Sequence, residues 1–96
     1  IENDIRITPS DRYILEGETE DYYVALYQNG ILQSDIFSVS LYDNNVPDAN
    51  YAITQIDGNN FSIKNNKVFL DYPLILTFTS SGSITKNLSI ELKGAW

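Results

Sequence analysis

Two runs of alternating apolar residues near the end of the chain constrain the fold more than any other feature. In residues 74–92, every second position is mostly apolar in each run, and residues 80–83 (Ser-Ser-Gly-Ser) separate the two runs. A period of two places one face of a strand on a core and the other face in water. Two such runs joined by a short Gly-containing turn predict a β-hairpin, which we expect to lie at the centre of a sheet. The predicted inward residues are Leu74, Leu76, Phe78, Ile84, Leu88, Ile90 and Leu92.

A longer alternating segment lies in the first third of the chain. Residues 20–27 place Tyr22, Val24 and Leu26 on one face, which we assign to the core. Tyr23, Ala25 and Tyr27 share the opposite face, which we expect to be exposed. Asn29-Gly30 follows directly and is the strongest short turn signal in the chain.

Shorter alternating segments fill most of the remaining sequence. Residues 3–7 run into Pro9, which cannot donate to a strand ladder, so we expect an edge strand there. The C-terminal strand is the second expected open edge. Polar turns, among them Asn65-Asn66, separate the other predicted strands, at residues 13–15, 35–42, 51–56, 61–63 and 68–70.

The number and spacing of these segments define the fold class. Seven to nine short strands with no helical periodicity predict an all-β fold, a β-sandwich of two antiparallel sheets. A chain of 96 residues suffices for one core, so we expect a single domain over residues 1–96. The chain starts with Ile1 and contains no Met, from which we expect a module of a longer protein.

Composition removes several function classes. The chain has no Cys and no His, so disulfides, zinc thiolate sites and a Ser-His-Asp site cannot form. Paired carboxylates can hydrolyse glycosides, but they need an apolar cleft that a small sandwich has little room for. We therefore expect a protein that is not an enzyme and has no cofactor.

The charge is acidic and unevenly distributed. The net charge is −7; residues 1–48 hold ten carboxylates and two arginines, whereas residues 49–96 hold three carboxylates and four lysines. An acidic surface repels phosphate groups, so we expect neither nucleic acid nor a membrane as a partner. The acids either keep the surface soluble or complement a basic partner.

Two acidic segments are candidate calcium ligands. Glu16, Glu18, Glu20 and Asp21 lie around Gly17, and residues 43–48 are rich in Asp and Asn. Calcium requires six to eight oxygen ligands, and neither segment has EF-hand spacing. Asp and Asn are also ordinary turn residues, so we predict no metal site.

Aromatic residues are the candidate binding residues. Tyr23 and Tyr27 are expected on one outer face, and Tyr42 and Trp96 complete the predicted set. Exposed aromatic rings stack on sugars and are enriched in protein interfaces. The alternative is that these tyrosines fill ordinary cross-strand pairs, since tyrosine favours strands.

The order of several motifs resembles bacterial immunoglobulin-like domains of group 2. At the start, residues 5–10 (Ile-Arg-Ile-Thr-Pro-Ser) precede Gly17-Glu18-Thr19. At the end, Ile63, Asn66 and Val68 precede residues 76–82 and 86–92, which resemble that family's final hairpin. The resemblance spans nearly the full length and implies an immunoglobulin-like sandwich.

A narrower resemblance is to immunoglobulin-like modules in structural proteins of tailed bacteriophages of Gram-positive hosts. It rests on five segments, residues 15–17, 26–30, 46–51, 61–65 and 92–96. It implies a non-catalytic virion module, C-terminal in its parent protein, that acts as a spacer, a decoration or a weak adhesive contact. The lack of His and Cys and the density of turns predict that the isolated domain is a monomer. Its partners would be other virion proteins or a host cell-surface polymer. The alternatives are a stalk or binding module of a bacterial surface adhesin, at the cell surface or extracellular, and a carbohydrate-binding module.

Overall fold

The computed structural model describes residues 2–9, 13–43, 46–66 and 73–94, which form nine strands and one turn of 3-10 helix. The predicted strand at residues 68–70 lies outside these described residues. The strands are β1 (Asn3–Thr8), β2 (Tyr13–Leu15), β3 (Thr19–Gln28), β4 (Ile31–Gln33), β5 (Phe37–Leu41), β6 (Tyr51–Gln55), β7 (Asn60–Asn65), β8 (Leu74–Ser80) and β9 (Thr85–Lys93), and the 3-10 turn is Asp48–Asn50.

The strands form two sheets. The first has the order β1-β3-β7-β6, with β4 also pairing with β3, and all its pairs are antiparallel. The second has the order β2-β9-β8-β5, in which β2 pairs parallel with β9 and the other pairs are antiparallel. The first sheet thus matches strands A, B, E and D of the immunoglobulin fold, and β9, β8 and β5 match strands G, F and C. The chain is an immunoglobulin-like β-sandwich, as the alternation and the motif order predicted.

The core lies between the two sheets and contains the residues that alternation assigned to it. On β3, Tyr22, Val24 and Leu26 are buried, and the edge of Phe61 on β7 meets Phe78 on β8 with ring centroids 5.0 Å apart. The predicted central hairpin, β8–β9, supplies Leu74, Leu76, Phe78, Leu88, Ile90 and Leu92, with Ile84 packed beside them.

The structure differs from the sequence analysis at one element that was not predicted and at two predictions that were wrong. Residues 31–33 form β4, which the sequence does not signal because the strand is short and its apolar residues are exposed. Asn65 belongs to β7 and is buried, because its side-chain amide bonds to the opposite sheet. The C-terminal strand is not the outermost strand of its sheet, since β2 pairs with its last three residues, Glu91–Lys93. The other predicted edge strand, β1, does lie at the edge of its sheet.

Candidate functional site

One row of residues crosses the outer face of the first sheet. Tyr23 on β3 lies between its strand neighbours Thr8 on β1 and Asn60 on β7. Ile56, at the end of β6, lies beyond Asn60, whose carbonyl accepts its N–H at 2.8 Å. Residues paired in this way point to the same face of a sheet. Tyr23 and Ile56 are 43% and 60% exposed, so the row presents two large apolar side chains to solvent.

A concave pocket opens beside Tyr23. It has a volume of about 350 Å³, with the Tyr23 ring and Leu32 as its apolar walls. Its polar groups come from Gln33, Ser34, Asp35 and Asn59. One aromatic ring with amide, hydroxyl and carboxylate groups around it can hold a small polar segment of a ligand by stacking and hydrogen bonds.

Hydrogen bonds fix the loop that forms the far wall of this pocket. Asn59 Nδ2 donates to the carbonyl oxygens of Val24 at 2.9 Å and Asp35 at 3.0 Å. Asp35 Oδ1 accepts from the Ser81 hydroxyl and from the Ile36 N–H at 2.8 Å. The segment between β4 and β5 is therefore held to β3 and to the turns of both neighbouring hairpins, so the pocket is preformed.

Ile36 continues the apolar surface past this loop. It is 65% exposed, and its side chain packs so closely on Gly58 that a Cβ at position 58 would lie 2.5 Å from Ile36 Cγ2. A second depression of about 170 Å³ lies next to Ile36, over Phe37 and Ser81. We call Tyr23, Leu32, Ile36 and Ile56 the loop-end surface.

Tyr27 lies on the same outer face but is covered. The Arg6 guanidinium stacks on its ring, 3.8 Å from Cζ to the ring centroid, and Arg6 Nε bonds to Asp4 at 2.9 Å. Arg6 is also the direct cross-strand neighbour of Ala25. Ala25 is consequently 2% exposed, although alternation predicted an exposed residue.

The other two predicted binding residues do not join this surface. Tyr42 follows β5 in the second sheet and is 60% exposed, on the opposite side of the sandwich from Tyr23. Trp96 lies outside the described residues. The structure thus brings Tyr23 and Tyr27 onto one face and separates Tyr42 from them. It adds Leu32, Ile36 and Ile56, which the sequence did not single out because exposure of an isolated aliphatic residue leaves no pattern.

The electrostatics of the loop-end surface are negative. The hydrogen bond from Ser81 lowers the pKa of Asp35, and hydrogen bonds from the Asn59 N–H and the Asn60 side chain lower the pKa of Asp57. Both carboxylates therefore remain ionised at neutral pH. The sequence has no Lys or Arg between Arg12 and Lys64, so β3 to β6 bring no positive side chain to balance them.

The acidic segments do not form a metal centre in the described part of the chain. Glu16 and Glu18 are exposed in the turn before β3, whereas Asp21 lies on the outer face opposite Ser62. Within the described ranges, no three carboxylates converge to hold an ion. No helix in those ranges has the length and apolar character to cross a bilayer.

Comparison with known proteins finds similarity among solved structures. No family model matches the chain, and no curated protein does. The BIgI domain of beta protein from S. agalactiae, solved bound to CEACAM1, is 14% identical over 99% of this chain and 100% of that one, with a TM-score of 0.47. The fold assignment above rests on the strand order, and the resemblance to group 2 domains stays a prediction.

Proposed function

We propose that this chain is a non-catalytic interaction module of a structural protein in a tailed phage virion, and that its loop-end surface makes weak contacts with the host cell surface. The observation that carries the proposal is a preformed polar pocket walled by Tyr23 and Leu32, with the exposed Ile36 next in sequence to its lining residue Asp35 and the exposed Ile56 in the same row as Tyr23. Apolar surface that is contiguous and rimmed by polar groups marks an interaction site more often than scattered exposed residues do.

The pocket suits binding by stacking and hydrogen bonding. Tyr23 offers a ring face, Leu32 offers aliphatic area, and the polar lining of Gln33 and Asn59 fixes orientation. Such a small contact gives low affinity per copy. Many copies on one particle would convert it into useful avidity through effective concentration.

The chemistry of the pocket supports binding rather than catalysis. Asp35 is its carboxylate, and the hydrogen bond from Ser81 lowers the pKa of that carboxylate. A general acid at neutral pH needs the opposite shift, and a second titratable group must face it. Asp35 instead serves as a fixed acceptor that holds the loop.

The second candidate is a module of a bacterial surface adhesin, which the resemblance to bacterial immunoglobulin-like domains favours. It uses the same surface and differs in the parent protein. A flat carbohydrate-binding platform fits less well, because Arg6 covers Tyr27 and Tyr42 lies on the other sheet. Tandem copies beside a wall anchor in the parent gene would favour the adhesin, and a single copy after a virion domain would favour the phage protein.

Co-sedimentation with purified Gram-positive cell walls tests the proposal. We expect saturable binding of the wild-type domain and a loss of about tenfold or more in the variant with Tyr23→Ala and Leu32→Ala. The matched control carries Tyr13→Ala and Tyr42→Ala, two exposed tyrosines of the second sheet, and should bind like the wild type. Equal loss in both variants would contradict the assigned surface. A folded wild type that does not bind would contradict host adhesion.

A further inference from the structure

Among the residues that the structure describes, the edge strand β5 presents backbone groups with no pairing strand. The Tyr42 N–H donates to the Ile75 carbonyl on β8 at 2.9 Å, which fixes the residues whose backbone faces β8. Backbone direction alternates along a strand, so Ser38 and Ser40 also bond to β8, whereas the groups of Val39 and Leu41 point away from the sheet. These outward N–H and C=O groups form a template on which another strand can pair.

At Phe37, the first residue of β5, residues of the first sheet already occupy the outward backbone groups. Phe37 also has outward backbone groups, but its N–H donates to the Gly58 carbonyl at 2.8 Å and its carbonyl accepts from Gln55 Nε2 at 2.8 Å. An added strand would therefore pair with Val39 and Leu41 and stop at Phe37.

Two other edge strands carry protection that β5 lacks, whereas the edge strand β6, like β5, has neither a charged residue nor a proline. The edge strand β1 holds the Asp4–Arg6 ion pair, and β2 has three residues. Charged side chains and very short strands are common means of blocking edge pairing. The β5 sequence, Phe-Ser-Val-Ser-Leu, has neither a charged residue nor a proline.

The inner side chains along this side of the sandwich are incompletely covered. Val39 and Leu41 on β5 and Tyr51 and Ile53 on β6 are partly buried and pack against the edge of the core. An added strand beside β5 would place every second side chain over these four partly buried residues. Main-chain hydrogen bonds would then supply affinity, and the apolar contact would favour apolar side chains at every second position of the added strand.

Charge identifies the kind of partner. Asp35 precedes β5, and Asp48 and Asp57 lie at the two ends of β6. No positive side chain occurs in the sequence from residue 13 to residue 63. A second copy of this chain would bring the same acidic groups to the contact, whereas a segment with lysines or arginines would neutralise them.

We propose that the β5 edge accepts an extended segment of a partner protein as an additional strand, and that this segment alternates apolar and small polar residues between flanking Lys or Arg. This second binding site is separate from the loop-end surface and does not depend on the proposed function.

Amide hydrogen exchange measured by NMR tests the proposal on the intact chain. The probe is the synthetic peptide Lys-Lys-Val-Thr-Val-Thr-Val-Lys-Lys. In the free protein, the Val39 and Leu41 amides should exchange fast and those of Ser38 and Ser40 slowly, because only the latter are bonded to β8. With the peptide in excess, exchange at Val39 and Leu41 should slow by about tenfold or more.

Two control peptides separate pairing from charge. The peptide Lys-Lys-Pro-Thr-Pro-Thr-Pro-Lys-Lys keeps the charges but cannot form a ladder, and Glu-Glu-Val-Thr-Val-Thr-Val-Glu-Glu keeps the strand but reverses the charge. Neither should protect Val39 or Leu41. The variant with Tyr23→Ala and Leu32→Ala should respond to the lysine peptide like the wild type, whatever its cell-wall binding.

Three outcomes would overturn the proposal. Absence of protection at millimolar lysine peptide would show that the edge does not accept a strand. Protection centred on Ile53 would assign the site to β6. Protection that rises with protein concentration without peptide would make a second copy the occupant.

Discussion

Asn65 ties the two sheets together through a single buried side chain. Its Nδ2 donates to the Ile14 carbonyl at 2.8 Å and the Lys93 carbonyl at 3.1 Å, and the residue is fully buried. These bonds connect β7 of the first sheet to β2 and β9 of the second. A buried polar group is stabilising only when its partners are in place, so the buried Asn65 amide depends on these two carbonyls.

We expect Asn65→Ala to lower the free energy of unfolding by about 2–3 kcal/mol, since it removes two hydrogen bonds between the sheets and the buried side chain that makes them. Urea unfolding monitored by circular dichroism would measure the change. Asn66→Ala is the matched control, because Asn66 is exposed, and it should stay within about 0.5 kcal/mol of the wild type. Equal effects of the two substitutions would show that the link between the sheets is not stabilising.

Asp35 and Asp57 make stability depend on pH. Hydrogen bonds lower the pKa values of both carboxyl groups in the folded state. The ionised carboxylates therefore stabilise the fold fully above the unfolded-state pKa of about 3.9, and this stabilisation is lost as the pH falls through the folded-state pKa. We expect stability to decrease below about pH 4 and Asp35→Asn to reduce this decrease. Urea midpoints measured from pH 6 to pH 2.5 would test it, and an unchanged slope in the variant would argue against the role of Asp35.

At the scale of elements, the turn between β3 and β4 depends on left-handed backbone. Asn29 has φ +52° and Gly30 has φ +80°, the combination that a two-residue type I′ turn requires. A Cβ at Gly30 would meet no atom within 4 Å, so any penalty there is conformational rather than steric crowding by neighbours.

Gly30→Ala should therefore reduce the free energy of unfolding by about 1 kcal/mol. Gly82→Ala serves as the comparison, because Gly82 has no positive φ and its nearest atom, Ser80 Oγ, lies 4.0 Å from the added Cβ. Thermal unfolding of both variants would give the difference. A larger loss in Gly82→Ala would contradict the assignment of the strained turn.

The elements that follow from local pattern were predictable, and those set by distant pairing were not. Alternation assigned the inward face of β3 and both strands of the β8–β9 hairpin, because strand periodicity is a property of consecutive residues. The parallel pairing of β2 with β9 joins residues far apart in the chain, so the C-terminal strand was taken for an edge. β4 stayed hidden because it makes one short pairing with β3 and buries little apolar area.

At the scale of the whole molecule, the candidate site depends on which strands the fold places side by side. Tyr23 was predictable as an outward residue from the alternation of β3. The stacking of Arg6 on Tyr27 could be predicted only from the register between β1 and β3. The separation of Tyr42 from Tyr23 could be predicted only from the assignment of β5 to the second sheet. Ile36 joins the surface because it packs on Gly58 of the β6–β7 turn, and Ile56 because it lies opposite Asn60 in the row that contains Tyr23.

An NMR titration that maps chemical-shift changes tests whether the module binds its ligand at the loop-end surface. The isotope-labelled protein would be titrated with solubilised cell-wall polysaccharide from a Gram-positive host while its amide spectrum is recorded. We expect shifts concentrated at Tyr23, Leu32, Gln33 and Asn59, with the signals of Tyr13 and Tyr42 unchanged. Shifts centred on the second sheet, or an unchanged spectrum at millimolar polysaccharide, would contradict it.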